Sequence, residues 1–205
     1  MNVEQVEGLL VLTLFLGYLY LWWQKKVTML IDIGNDPDVI YHDKRPSQKF
    51  FAKLSRLLSL SIGLLIILHI TDFNGHFENS QLSFINHKYL YLSGYALGIF
   101  GLLLCWRAQK EMGGSWRVGI DRKKTELITT GVFKKIRNPT YSGLFLICLG
   151  TLMIFHNMLI LLWVVTFYIS IEFQVRMEEE HLIEAHGQAY IDYLKTTKRY
   201  VPYLY

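Results

Sequence analysis

The segment from Thr129 to Gly143 contains the first side chains that could bind a ligand. It reads TTGVFKKIRNPTYSG; Gly131 breaks the preceding element, and Pro139 suits the first turn of a helix, where its missing N–H is not needed. A helix that starts here presents free backbone N–H groups and a positive dipole end. Such an end attracts a carboxylate or phosphate, and Arg137 and Tyr141 stand beside it. The alternative interpretation is an interfacial Arg/Tyr belt at a helix start.

A second group of polar side chains lies at Glu178–Glu180, preceded by Gln174 and Arg176. Three consecutive carboxylates are unfavourable unless they are solvated or matched with a cation. If both groups lie on one side of the molecule, one could hold a ligand's carboxylate and the other its cationic or hydroxyl end. The alternative is a solvated turn that pairs with Lys134 and Lys135.

The composition places these groups in a membrane protein. Only 19% of the 205 residues are charged, 52% are hydrophobic, and the mean hydropathy is +0.24, whereas soluble domains are about a quarter charged. Only His156 and Asn157 separate the last two apolar runs, which therefore form a tight hairpin. Because about 20 helical residues cross a bilayer core, five runs predict transmembrane helices: about 3–23, 54–70, 89–106, 141–155 and 158–173.

The basic residues predict the orientation of these helices. They are concentrated in 24–56, in 107–137 and after residue 175, whereas the intervening loop 71–88 has only Lys88. This alternation is the positive-inside pattern, so the N-terminus is expected outside and the C-terminal polar segments in the cytoplasm. No lysine or arginine precedes residue 25, so the first run is expected to be retained as a helix rather than cleaved.

Two parts are therefore predicted, namely transmembrane helices 1–3 in residues 1–106 and a catalytic part in residues 107–205. The tail predicts an amphipathic helix, because apolar and aromatic residues recur there every three or four positions: Leu182, Ile183, His186, Tyr190 and Leu194. The sequence contains no GxGxxG, GxxxxGK[ST], HExxH or GxSxG motif, which excludes the soluble nucleotide-binding folds. Its seven histidines show no metal-ligand spacing, so no metal is expected. The net charge of +4 follows the membrane pattern, so no nucleic-acid partner is expected either.

From about Arg107 to its end, the chain resembles the isoprenylcysteine carboxyl methyltransferase family, which is related to the phospholipid methyltransferases. The matching segments are Ser115–Trp116, ELITTGVFKKIRNPTYSG at 126–143 and EEEHLIEAHGQAYIDYLKTTKRYVP at 178–202. The resemblance implies an all-α polytopic membrane protein with about five transmembrane helices and a cytoplasmic site for S-adenosylmethionine. The product would be S-adenosylhomocysteine, and a lipophilic acceptor would enter from the bilayer.

The resemblance also implies roles for individual residues. Gln174 stands where the family has a substrate-side arginine, and Asn138 stands where it has a histidine. Arg107, Arg137 and Arg176 would orient an anionic acceptor, and Tyr141 or Trp116 would line the sulfonium by a cation–π contact. The implied cofactor contacts are Thr125, Glu126, Leu127, Ile128, Phe133, Asn138, Pro139, Thr140, Tyr141 and Glu178.

Several alternatives stay open at this point. The acceptor favoured by the resemblance is the C-terminal carboxylate of a prenylated cysteine, but a phospholipid amine would suit Gln174 better. An NADPH-dependent membrane reductase and a non-enzymatic scaffold are further alternatives. Both the bacterial inner membrane and the endoplasmic reticulum are compatible with the sequence.

Overall fold

The computed structural model describes residues 3–34, 36–71, 87–121 and 126–204. The described residues form six α-helices and three short 3-10 turns, at Val39–Tyr41, Gly113–Ser115 and Gly131–Lys134. The helices are α1 (Val3–Asp32), α2 (Pro46–Ile70), α3 (His87–Met112), α4 (Pro139–Phe155), α5 (Met158–His186) and α6 (Gln188–Thr196).

Four of these helices, α1, α2, α3 and α5, are long and apolar enough to cross a membrane. Helix α4 is a shorter apolar helix of 17 residues, which corresponds to roughly 25 Å at 1.5 Å per residue. An isolated parallel β-bridge joins Ile136 and Lys198. The all-α, polytopic membrane fold predicted from the sequence is therefore confirmed.

The hairpin between α4 and α5 also follows the prediction. His156 ends α4 in the left-handed conformation, with φ of 31°. The Asn157 side chain then caps α5 by accepting a hydrogen bond of 2.7 Å from the Leu159 N–H. Two residues are therefore enough to reverse the chain.

The helices extend well beyond the apolar runs, because polar residues can continue a helix outside the hydrocarbon. Helix α1 continues past Trp23 to Asp32, and α5 continues past Phe173 to His186. The amphipathic pattern of the tail is therefore divided between two helices rather than carried by one. The first part of that pattern belongs to α5, and Gly187, with φ of 58°, separates it from α6.

Helices α3 and α4 make the most extensive helix–helix contact in the described structure. Glycines allow this close approach: a Cβ atom added at Gly101 would lie 2.5 Å from the carbonyl oxygen of Gly143, and one at Gly94 would lie 2.7 Å from that of Gly150. Small residues let membrane helices pack backbone against backbone. This contact fixes the position of α4 against α3.

Candidate active site

The start of α4 is held in place by the C-terminal segment. The backbone N–H groups of Arg137 and Asn138 donate to the carbonyls of Lys198 and Arg199, at 2.8 and 3.1 Å. The Ser142 hydroxyl donates to the Tyr200 carbonyl at 2.8 Å. Helix α4 begins at Pro139, as the sequence predicts. The residues before and within its first turn are thus fixed by contacts with a segment about 60 positions further along the chain.

The end of α5 brings a carboxylate to this helix start. The Tyr141 hydroxyl donates to Oε1 of Glu178 at 3.0 Å, and Nε2 of Gln174 donates to the same oxygen at 2.8 Å. The two polar groups singled out in the sequence therefore meet, as predicted. Glu178 accepts hydrogen bonds from both helices and presents its carboxylate to the space between them.

The neighbouring carboxylate, Glu179, is buried and paired with two arginines. Its Oε1 lies 3.1 Å from Nε of Arg137, and its Oε2 lies 2.6 Å from Nη2 of Arg199. Arg137 also donates to the backbone carbonyls of Leu194 and Thr197. This network, and not pairing with Lys134 or Lys135, balances the charge of Glu179 and ties α5 to the C-terminal segment.

A cavity opens beside Tyr141 and Glu178 and holds about 1100 Å³ of space when its open mouth is included. It lies between the start of α4, the exit of α5, helix α6 and the linker after α3. Eleven of the residues proposed from the sequence line it: Trp116, Glu126, Leu127, Ile128, Phe133, Arg137, Asn138, Pro139, Thr140, Tyr141 and Glu178.

The other proposed residues lie elsewhere. Arg107 pairs with Glu111 on α3 at 2.6 Å, and its side chain is about half exposed. Arg176 pairs with Glu172 on α5 at 3.2 Å and is likewise about half exposed. Gln174 is fully buried and reaches the cavity through its bond to Glu178. Thr125 lies outside the described residues.

The cavity also contains residues to which the sequence assigned no role. Tyr18 comes from α1, and no sequence signal pointed to it. Tyr190 and Tyr193 belong to the tail pattern that carried the family resemblance, so that pattern could have indicated them. Arg117 lines the cavity directly after Trp116 and adds a positive charge close to Glu178.

One polar atom in the cavity lining has no partner. Nδ2 of Asn138 is buried and makes no hydrogen bond within the described part of the chain. A buried amide donor without an acceptor is unfavourable, so this atom indicates a place where a ligand could contribute an acceptor.

The tyrosines of α6 act as hydrogen-bonding and apolar walls rather than as bases. Burial raises the pKa of Tyr193 to about 12, against the effect of Arg137, and burial also raises the pKa of Tyr190. Tyr193 donates to the Phe133 carbonyl at 2.6 Å. Both hydroxyls therefore keep their protons at neutral pH. In the described residues, no group of three His, Cys, Asp or Glu side chains could hold a metal ion.

Comparisons with known proteins agree with this arrangement. Residues 89–189 match the family model described as phospholipid methyltransferase. This segment is therefore similar in sequence to the phospholipid methyltransferases. The resemblance inferred from the sequence is therefore confirmed.

The fold of this chain is similar to that of a eukaryotic intramembrane Ras methyltransferase, an isoprenylcysteine carboxyl methyltransferase. The TM-score is 0.56 at 20% sequence identity, and the alignment covers 98% of this chain and 72% of the other. A sequence search among curated proteins gives no match. The family model begins at the start of α3, so α1 and α2 lie outside the matched region.

Proposed function

We propose that this protein transfers a methyl group from S-adenosylmethionine to a lipophilic acceptor that reaches the site from the bilayer. The observation that carries the proposal is the hydrogen bond between Tyr141 and Glu178 at a cavity lined by nine of the ten expected cofactor contacts. The catalytic part would comprise residues 107–205, with residues 1–106 supplying the other transmembrane helices.

The residues in the cavity fit this cofactor. The Glu178 carboxylate can accept from a hydroxyl or amino group, while the unpaired Nδ2 of Asn138 can donate to a ring nitrogen or carboxylate. Arg117 adds a cation for an anionic group. The aromatic faces of Trp116, Phe133 and Tyr141 suit a flat base or a sulfonium.

The cofactor, when bound, supplies a methyl group on a positively charged sulfur, which an acceptor nucleophile takes in line with the departing S-adenosylhomocysteine. For an ionised carboxylate acceptor the contribution of the protein is alignment and exclusion of water, whereas an amine acceptor would also have to give up a proton to a base. Tyr141 and Gln174 hold the Glu178 carboxylate in one position, since both donate to the same oxygen. The bridge between the C-terminal segment and Ile136–Asn138 holds Asn138 at the start of α4, in the wall of the same cavity.

Two acceptors are candidates. The carboxylate of a prenylated cysteine is favoured by the fold shared with an isoprenylcysteine carboxyl methyltransferase. A phospholipid amine is favoured by the family model and by the ion pairs of the proposed arginines. Arg107, Arg137 and Arg176 each bind a glutamate of the same chain, and Gln174 places a neutral amide where the family has an arginine.

The cavity is proposed to face the cytoplasm, with the N-terminus on the other side of the membrane. The supporting observation is the basic composition of residues 24–56, 107–137 and the tail. A bacterial inner membrane and the endoplasmic reticulum both satisfy this orientation.

The test uses the full-length protein in detergent or lipid nanodiscs. Radiolabelled S-adenosylmethionine should bind and be displaced by S-adenosylhomocysteine but not by NADPH. Label should then enter either a farnesylcysteine analogue or phosphatidylethanolamine. Absence of binding, or displacement by NADPH, would overturn the proposal in favour of a scaffold or a reductase.

A further inference from the structure

The loop between α1 and α2, residues 36–41, lies against the linker that follows α3. The Val118 N–H donates to the Pro37 carbonyl at 2.8 Å, and the Ile40 N–H donates to the Val118 carbonyl at 3.0 Å. Val118 therefore has both of its backbone polar groups bonded to this loop. The loop lies outside the region matched by the family model, which begins at residue 89, and no sequence pattern pointed to it.

The α1–α2 loop and the linker are closely packed. Gly119 has a φ of 94°, a conformation that glycine adopts readily and other residues rarely do. A Cβ atom added to Gly119 would lie 2.7 Å from Cβ of Ile40 and 3.0 Å from its backbone nitrogen. Ile40 itself is 1% exposed. Movement of the loop would therefore leave a gap behind Gly119.

The side chain of Asp38 anchors the α1–α2 loop to helix α1. Its Oδ1 accepts a hydrogen bond of 3.2 Å from the indole N–H of Trp22, and its Oδ2 lies 2.6 Å from Nζ of Lys26. Asp38 is 2% exposed. Its two partners are four positions apart and so lie on one face of α1. Because hydrogen bonds to an ionised group are stronger than neutral ones, the carboxylate holds the loop firmly against this helix.

The linker that the loop contacts is one wall of the cavity beside Glu178. The five consecutive residues 116–120 line that cavity, and they include Trp116 and Arg117, which were proposed above to contact the cofactor. None of residues 36–41 lines it. The loop therefore supports this wall from behind and touches no ligand in the cavity.

We infer that the α1–α2 loop sets the affinity of the cavity for S-adenosylmethionine and that Asp38 is its positioning residue. The inference rests on the proposed function and concerns the same cavity. Asp38 acts through Val118, whose two hydrogen bonds to the loop keep the wall 116–120 in the position that completes the cavity. When the wall leaves that position in part of the molecules, the apparent Kd for the cofactor rises in inverse proportion to the fraction that keeps it.

The experiment uses the full-length protein in detergent and makes three measurements on each variant. The first is the Kd for radiolabelled S-adenosylmethionine. The second is hydrogen–deuterium exchange of the backbone amides in residues 116–120 without ligand, which reports local opening of the wall. The third is the free energy of unfolding. A residue that only stabilises the fold would change the third measurement without changing the Kd.

Trp22→Phe is the main variant, because it removes the indole N–H and keeps an aromatic ring. It should speed exchange in residues 116–120 and raise the Kd about threefold. Asp38→Ala removes both contacts with α1 and should raise the Kd about tenfold, whereas Asp38→Asn keeps an oxygen for Trp22 and should give an intermediate value. Trp23→Phe is the matched control, since Trp23 is on the same helix and 55% exposed. It should change neither exchange nor Kd.

The conservative variants decide the outcome if Asp38→Ala fails to fold. A Kd unchanged in Trp22→Phe and Asp38→Asn would overturn the inference and leave the proposed function intact, whether or not exchange or unfolding changes. A Kd that rises without faster exchange, or that rises equally in Trp23→Phe, would also contradict it. Failure of the wild-type protein to bind the cofactor would instead overturn the proposed function, and this inference with it.

Discussion

The Tyr141 hydroxyl lies 3.0 Å from Oε1 of Glu178, although 37 positions separate the two residues in the sequence. The short α4–α5 hairpin makes this possible, because it returns the exit of α5 to the level at which α4 starts. Gln174, one helical turn before Glu178, donates to the same oxygen. The carboxylate is therefore oriented before any ligand binds.

Loss of the Tyr141 hydroxyl or of the Glu178 carboxylate should weaken cofactor binding, and loss of the carboxylate should weaken it more. Tyr141→Phe loses one hydrogen bond to Glu178, so the Kd for labelled S-adenosylmethionine should rise about tenfold. Glu178→Ala removes the proposed acceptor itself and should raise the Kd by about a hundredfold. Glu180→Ala is the control, since Glu180 is exposed and does not line the cavity. Undiminished binding in the first two variants would exclude these residues from the site.

Asn138 offers a test that separates binding from folding. Its buried Nδ2 has no partner within the described residues, so Asn138→Ala should not lower the free energy of unfolding but should raise the cofactor Kd about tenfold. Asn138→His restores the residue type of the family and should keep the Kd within about threefold of the wild-type value. Titration of both variants with labelled cofactor checks this. Loss of stability with unchanged Kd would indicate a structural role instead.

The network around Glu179 should matter for stability. Glu179→Ala leaves Arg137 and Arg199 buried without their shared carboxylate, which should lower the free energy of unfolding by about 3 kcal/mol or more. Chemical unfolding in detergent provides the measurement. Asp192→Ala is the matched control, because Asp192 pairs with Lys195 on the surface. Equal stability of the two variants would contradict the proposed importance of this network.

The contact between α3 and α4 should not tolerate a methyl group. In Gly101→Ala the new Cβ would meet the Gly143 backbone, and the resulting shift should cost about 1–3 kcal/mol of stability. Gly63→Ala is the control on α2, where a Cβ would meet nothing within 4 Å. That substitution should be neutral or stabilising, since alanine favours a helix over glycine by about 1 kcal/mol. Thermal unfolding of both variants would reveal whether close packing determines the difference.

Ionisation of the Tyr193 hydroxyl should lower the stability of the folded protein at alkaline pH. Its pKa is raised from 10.0 to about 12 by burial, so the unfolded chain releases this proton at a lower pH than the folded chain does. The contribution of Tyr193 to the free energy of unfolding is therefore fully present below pH 10 and is lost as the pH rises to about 12. The loss amounts to roughly 2 kcal/mol.

Unfolding measurements at pH 10 and pH 12 test this effect. Tyr193→Phe should show a shallower decline than the wild-type protein, because phenylalanine has no proton to release. Tyr203→Phe, at a position 85% exposed, should decline like the wild type. Identical declines in all three proteins would mean that Tyr193 contributes nothing to the pH dependence.

The residues themselves determined the local features. Long apolar runs can satisfy their backbone only as helices in lipid, so α1 to α5 were predictable. Pro139 marked the start of α4, and His156–Asn157 marked the hairpin, because these depend on neighbouring residues alone. The hairpin in turn placed Tyr141 and Glu178 on one side of the molecule.

Only the tertiary structure decided which partners meet across the chain. The sequence offered Lys134 and Lys135 as partners for Glu179, whereas the structure pairs it with Arg137 and Arg199. It also brought Gln48 to Gln174, 126 positions apart. Helix periodicity shows which face of a helix is apolar, but the rotation and neighbours of each helix depend on the packing of all of them together. In this fold the close approach of α3 to α4 and the bridge to the C-terminal segment set that packing.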